Sequence, residues 1–330
     1  LADGSATAHD VGALYPAPPW AWSERAALFR YWVRQPVLSG LLDVLPHHVG
    51  RLLPTDQVSA LGARLGIRAG RSRPQASERA RALFRLLRPA ADAAAIEAML
   101  AAHWRHVGRC FCEFAALHRL WREGRVEIEG LDHLEAARAG GRPVIIAGLH
   151  VGYWEIIAVG LAMLRIPAVS TYQRQPDRFR MRIADNARSR AWRPGVPLER
   201  LLPTRSALFG AQRALSRPGG VMLYYVDEFW QGRVHAPLLG RRLRQEGNIA
   251  KAVRLAAMTG AAVVPAHALR LGEAARFRLI FSPAVPIGAS GRGRAGARED
   301  HLALDAAIEG ILRSCPEQWF MAHVFGPDAA

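Results

Sequence analysis

Short, largely apolar runs recur through the second part of the chain: "PVIIAGL" (143–149), "VMLYY" (221–225), "AVVPAH" (262–267) and "FRLIF" (277–281). Runs of this length, bounded by Gly, Pro or polar residues, predict strands buried on both faces. "VEIEG" (126–130) predicts a shorter strand, "LDHLEAARA" a helix stopped by the following "GG", and "AVSTY" (168–172) another strand. Helical spacing fills the intervals: a helix from Gly152, then 178–192, 206–216, 248–259 and 300–314. Alternation of this kind gives an α/β fold with a mostly parallel central sheet flanked by helices.

Upstream of residue 123 the pattern is helical. Residues 1–20, rich in Pro, Gly and Ala, predict irregular chain. A helix starting near Ser23 sets Trp22, Ala26, Phe29 and Val33 on one face, either packed on the body or lying among lipid headgroups. "RAGRSRPQASER" (68–79) reads as a polar loop, and 78–122 as helix broken near Pro89. The expected organisation is a helical N-terminal region, 1–122, suited to contact a membrane surface, and an α/β domain, 123–330. "GASGRGRAGARED" (288–300) predicts a flexible loop.

Composition changes this picture little. The 330 residues carry a formal charge of +16, and Lys251 is the single lysine among 44 basic side chains. An arginine and alanine bias can reflect coding composition, so the charge points only softly to an anionic partner: headgroups, phosphates, an acidic carrier protein or nucleic acid. The arginines are spread along the chain rather than clustered with aromatics, which disfavours a nucleic-acid-binding protein. Cys110, Cys112 and Cys315 do not form a disulfide framework, and a reducing compartment is the simpler reading. The first residues lack a signal-peptide order, and no uncharged apolar run is long enough to span a bilayer. An anchoring segment upstream of Leu1 stays open.

The candidate chemistry starts with "GLHVGYWE" (148–155), where an apolar strand gives way to a helix. On one continuous helix, five residues turn the chain by about 500°, which would part His150 from Glu155. With His150 at the end of the strand and Glu155 in the first helical turn, the two can converge at the sheet edge where α/β proteins keep their sites. Glu155 on the far ring nitrogen would then fix the tautomer of a proton-accepting imidazole. The alternative is a structural histidine near a helix-start carboxylate. No G-x-S-x-G elbow occurs, and Cys110 and Cys112 fall in a predicted helix, so direct transfer to a substrate nucleophile is expected rather than a covalent intermediate. His103, His106 and Cys110 share a helix face that zinc could use, but such a cluster is more often packing. "GRGRAG" (291–296) has no βαβ context and is a loop. Asp227 and Glu228 follow a predicted strand on the same sheet edge as His150, either solvated or positioning an acceptor. Asn248 reads as a helix N-cap.

The block "VEIEGLDHLEAARAGGRPVIIAGLHVGYWE" resembles the lipid A biosynthesis (late) acyltransferase family, within the wider lysophospholipid and glycerolipid acyltransferases. "HWRHVGRCFCEF", "PLLGRRLRQEGNIAKAVRLAAMTGAAVVPAHALR" and "CPEQWFMAH" resemble further blocks of the same family, in the same order. The resemblance implies His150 as general base with Glu155 as its orienting acid, and Asp227 and an arginine, Arg190 with Arg193 as the next choice, in substrate binding. It implies a fatty acyl donor, acyl carrier protein or coenzyme A thioester, as co-substrate with no cofactor and no metal. The acceptor would be a hydroxyl or amine of a lipid A precursor or related lipid. The place of action would be the cytoplasmic face of the inner membrane, peripheral or anchored by a segment not in this chain. Two departures bear on the acceptor: Val226 and Phe229 stand where the family usually has proline and often a second acid, and "FMAHVF" follows "PEQW" where the family often has an aromatic and paired arginines. A divergent member acting on another acceptor would carry the same marks.

Overall fold

The computed structural model describes residues 37–171, 178–191, 198–201, 205–288 and 294–326, with Trp22, Ala26 and Phe29 individually. Those three are helical and exposed; the rest of the expected helix from Ser23, including Val33, lies outside the described residues, as does Arg193.

Helices α1 (Val37–Gly50), α2 (Thr55–Arg71), α3 (Pro74–Leu87), α4 (Ala93–Glu113) and the short α5 (Leu117–Leu120) precede the sheet. The polar stretch expected as a loop over 68–79 is helical except at Ser72 and Arg73. Its polarity reflects exposure, and Pro74 occupies the first turn of α3, where its missing N–H costs nothing. Helices α2 and α4 pack through glycines. A Cβ on Gly66 would fall 1.9 Å from the Trp104 carbonyl oxygen, and one on Gly108 would fall 2.1 Å from that of Gly62. Only glycine allows that approach.

Strands β1 (Val126–Glu129), β2 (Val144–Gly152), β3 (Ala168–Thr171), β4 (Leu198–Leu201), β5 (Val221–Tyr225), β8 (Ala262–Arg270) and β9 (Phe277–Phe281) form one seven-stranded sheet, ordered β1-β9-β8-β2-β5-β3-β4. Every adjacent pair is parallel except β8 and β9. A small antiparallel ribbon, β6 (Phe229–Trp230) and β7 (Arg233–Val234), follows β5. Helices α6 (Leu131–Arg138), α7 (Glu155–Met163), α8 (Arg178–Ala191), α9 (Arg205–Leu215), α10 (Gly247–Thr259) and α11 (Arg294–Ser314) flank the sheet. The last begins inside the stretch expected to be loop over 288–300. Its amphipathic pattern already starts at Ala295 and Gly296, behind small residues that hide it.

The two faces of β2 enter different apolar clusters. Ile145, Leu149 and Val151 join Phe84, Trp104, Ile249 and Trp319, while Ile146 joins Leu134, Ile157 and Phe277. The first cluster takes side chains from both the N-terminal helices and the sheet. A buried ion pair adds to this joint: Glu113 accepts from Arg270 at 2.8 Å and from Ser59 at 2.7 Å.

Burial also holds several histidines neutral. His103 is pushed down to about 3, His267 and His301 to about 4, and His106 well below its ordinary value, each chiefly by desolvation. In the unfolded chain these groups protonate near pH 6.5. Between about 6.5 and 4 the unfolded state therefore binds more protons, and stability falls with falling pH by up to about 1.4 kcal/mol per unit for each histidine. Burial raises Glu228 to about 8 and Asp305 to about 6. Their protons are held in the fold where the unfolded chain has released them, so their contribution runs the other way. The histidines outnumber them, and urea unfolding at pH 5 is expected to show a stability lower than at pH 7 by a few kcal/mol. Equal midpoints at the two pH values would contradict this.

Candidate active site at the carboxyl edge of the sheet

Strand β2 does not end cleanly. Its register against β8 shifts between Gly148 and Gly152. Gly152 sits at φ +62°, and a Cβ there would lie 1.8 Å from the Ala268 carbonyl oxygen. The same carbonyl accepts the Tyr153 N–H at 2.8 Å. Glycine is thus required where the chain leaves the sheet for α7. His150 lies within this irregular end. Its neighbours Leu149 and Val151 are buried in the cluster on the opposite face, while its own side chain keeps 17% exposure.

Asp227 follows β5 at the same edge and is fully buried. Its Oδ1 lies 2.8 Å from His150 Nδ1, and its Oδ2 accepts the His150 backbone N–H at 2.8 Å. The Trp319 indole N–H donates to the same Oδ2, also at 2.8 Å. A carboxylate beside Nδ1 makes that nitrogen the proton carrier and leaves Nε2 as the basic one. The imidazole is also walled by aromatic rings, Tyr225 at 4.6 Å and Trp154 at 5.3 Å between centroids.

Trp319 belongs to "PEQW", so this segment reaches the site directly. It bridges Val151, and the Gln318 side chain binds both backbone groups of Arg270 at the end of β8. The α4 histidines brace the same parts. His103 contacts the Glu317 carbonyl oxygen at 3.2 Å and His323 Nδ1 at 3.1 Å, and His106 contacts the Gly152 carbonyl oxygen at 3.1 Å. Their partners are packing and backbone groups. Among the described residues no cluster of three His, Cys, Asp or Glu side chains is arranged to hold a metal.

The expected pairing of Glu155 with His150 is corrected by this geometry. Glu155 opens α7 and is buried, and its carboxylate accepts from Arg188 Nε at 2.8 Å and Nη2 at 2.6 Å. A permanently charged planar fork matches both oxygens of a carboxylate, which a single imidazole nitrogen cannot do. Arg190, expected to bind substrate, is exposed on α8, and its charge contributes to the lowering of His47 and His118. The signal was in the pattern of α8: Met181, Ala184, Ala187 and Ala191 form its buried stripe. Arg188 adjoins that stripe and Arg190 does not. Asp227, expected to bind substrate, is the hydrogen-bond partner of His150.

Asn248 does not cap α10 with its side chain. Its Oδ1 accepts from Tyr224 at 2.7 Å, its Nδ2 donates to the Tyr225 carbonyl oxygen at 2.9 Å, and its backbone N–H donates to Glu228. These bonds fix the loop that carries Asp227. Burial pushes the Cys110 and Cys112 thiols up, Cys112 to about 11, so neither offers a thiolate.

A partly exposed imidazole backed by a buried carboxylate, at the carboxyl edge of a mostly parallel sheet, is an arrangement found at the sites of α/β proteins. A sequence-profile comparison matches residues 40–324, and on that match the chain belongs to the bacterial lipid A biosynthesis acyltransferase family. It is accordingly an acyltransferase of the lipid A type. No curated protein matches the chain in a sequence comparison.

Proposed function

We propose that this protein moves a fatty acyl chain from a thioester, on acyl carrier protein or coenzyme A, to a hydroxyl or amine of a lipid A precursor or related glycolipid. The observation that carries the reading is the bond between His150 Nδ1 and the buried carboxylate of Asp227. His150 Nε2 takes the acceptor's proton as its oxygen or nitrogen attacks the thioester carbonyl carbon. Asp227 stabilises the imidazolium that forms. The tetrahedral intermediate expels the thiolate, which receives the proton from His150. The pair of Glu155 and Arg188 holds the start of α7 against α8 and so positions the wall beside the imidazole. No cofactor or metal enters this scheme.

The membrane contact expected of the N-terminal region is supported by the end of α1. Leu45, Val49 and Leu52 are exposed there, Leu52 at 85%, next to Arg51. Apolar side chains flanked by cations suit an anionic bilayer surface. Among the described residues no helix is long and apolar enough to cross a membrane. The site of action proposed is the cytoplasmic leaflet, by surface contact.

The test is incubation of the purified protein with isotope-labelled palmitoyl thioesters of both carriers, against lipid A precursors and other glycolipids, read by mass spectrometry. The expected product is acceptor bearing one labelled acyl chain. Absence of acylated product with every pairing would reject the reading.

A further inference from the structure

A line of aromatic rings leads from the imidazole to the surface. Trp154 stands 5.3 Å from the His150 ring, Phe320 stands 4.7 Å from Trp154, and Phe111 stands 5.8 Å from Phe320, centroid to centroid. Burial falls along the line: Trp154 and Phe320 are partly buried, and Phe111 is 59% exposed. The rings come from three separate elements. Trp154 precedes α7, Phe320 begins the short 3-10 helix Phe320–His323, and Phe111 is on α4. Convergence of three elements distinguishes this line from a helix stripe, whose members are set by periodicity alone.

Large rings facing solvent lose hydrophobic free energy in the absence of a partner, and a row that begins at a catalytic base selects an apolar partner attached to the reacting carbon. We infer that Trp154, Phe320 and Phe111 form the track along which the fatty acyl chain of the donor lies, with Phe111 contacting its distal methylenes. This rests on the acyl-transfer reading of His150. It adds what that reading leaves open, a chain-length preference. Short acyl groups end beside Trp154, and only a long chain reaches Phe111. Each added methylene that is covered contributes binding energy, so long chains are favoured while the track lasts. The position of Phe320 directly after Trp319 ties the track to the catalytic carboxylate, because the Trp319 indole holds Asp227.

The experiment uses the His150→Ala protein, so that bound thioester is not consumed. It is irradiated with fatty acyl thioesters carrying a photoreactive diazirine near the carbonyl or at the chain end. Both the acyl carrier protein and the coenzyme A forms are used. Peptide mass spectrometry is expected to find the near probe on the peptide with Trp154 and the terminal probe on peptides with Phe111 or Phe320. Terminal-probe adducts confined to other peptides, or none with either carrier, would overturn the assignment. In parallel, the ratio of kcat/KM for palmitoyl over octanoyl donors is measured in the otherwise native enzyme and in Phe111→Ala. The ratio is expected to fall about 10-fold, and an unchanged ratio would also overturn the track. If the enzyme transfers no acyl group but the adducts fall as expected, the track stands and the catalytic reading fails. Adducts elsewhere with transfer intact give the opposite result.

Discussion

Asp227→Asn is expected to lower acyl transfer by about 10³–10⁴-fold with the folded structure retained, because the isosteric amide removes the charge and not the volume. Asp227 receives three N–H groups, two from His150 and one from Trp319. An amide in its place can present its NH2 group to Nδ1, which turns the imidazole to the tautomer with its proton on Nε2. That nitrogen then has no lone pair for the acceptor proton. The amide also provides no negative charge for the imidazolium. His150→Ala should reach a similar floor, and the double variant should be little worse than either single one, since the two groups act as a unit. Initial rates with labelled thioester, together with circular dichroism to confirm the fold, check this. Near-native rates in Asp227→Asn would remove the pair from the mechanism.

Glu155→Ala should act on stability first. It leaves the Arg188 guanidinium without the carboxylate that both of its bonding nitrogens now reach. Stranding one partner of a largely buried pair costs about 3 kcal/mol or somewhat more. Arg188 keeps some exposure, which places the loss at the lower end of that range. Replacing both partners, Glu155→Leu with Arg188→Met, should recover much of the loss, because an apolar pair leaves no charge unmatched. Urea unfolding of the two single variants and the double variant gives the coupling directly. Glu155→Gln should lose stability yet keep more activity than Asp227→Asn. The reverse order, with stability unchanged, would return Glu155 to the imidazole and displace Asp227.

Most of the sheet was legible because strands such as "VIIAGL" and "VMLYY" are short apolar runs, whose pattern depends on burial on both faces and hardly on the neighbours chosen, whereas β4, "LERL", carries two charges and gives no such run. The position of His150 was legible for the same reason, since it ends one of those runs. Helix α2 was less so. Beyond Val58 its buried face is made of Ser59, Gly62, Ala63, Gly66 and Gly70, small residues that carry little hydrophobic signal. Their role is visible only when α4 lies against them. Trp319 could be seen as part of a recurrent block, but nothing in "PEQW" tells that its indole reaches across more than ninety residues of chain to Asp227.

The alternation of strands and helices, the fold class, the family and the choice of His150 as candidate base follow from the sequence alone, because they rest on local periodicity and on motifs contiguous in the chain. Which acid lies against His150 was decided by tertiary structure. Glu155 and Asp227 both stand at the carboxyl edge of the sheet. The choice between them turns on Arg188, which α8 brings against α7, and on Trp319, which the C-terminal segment brings against β2. Spacing along the chain states which groups can come near each other. Competition for hydrogen bonds among groups distant in sequence determines which of them actually pair.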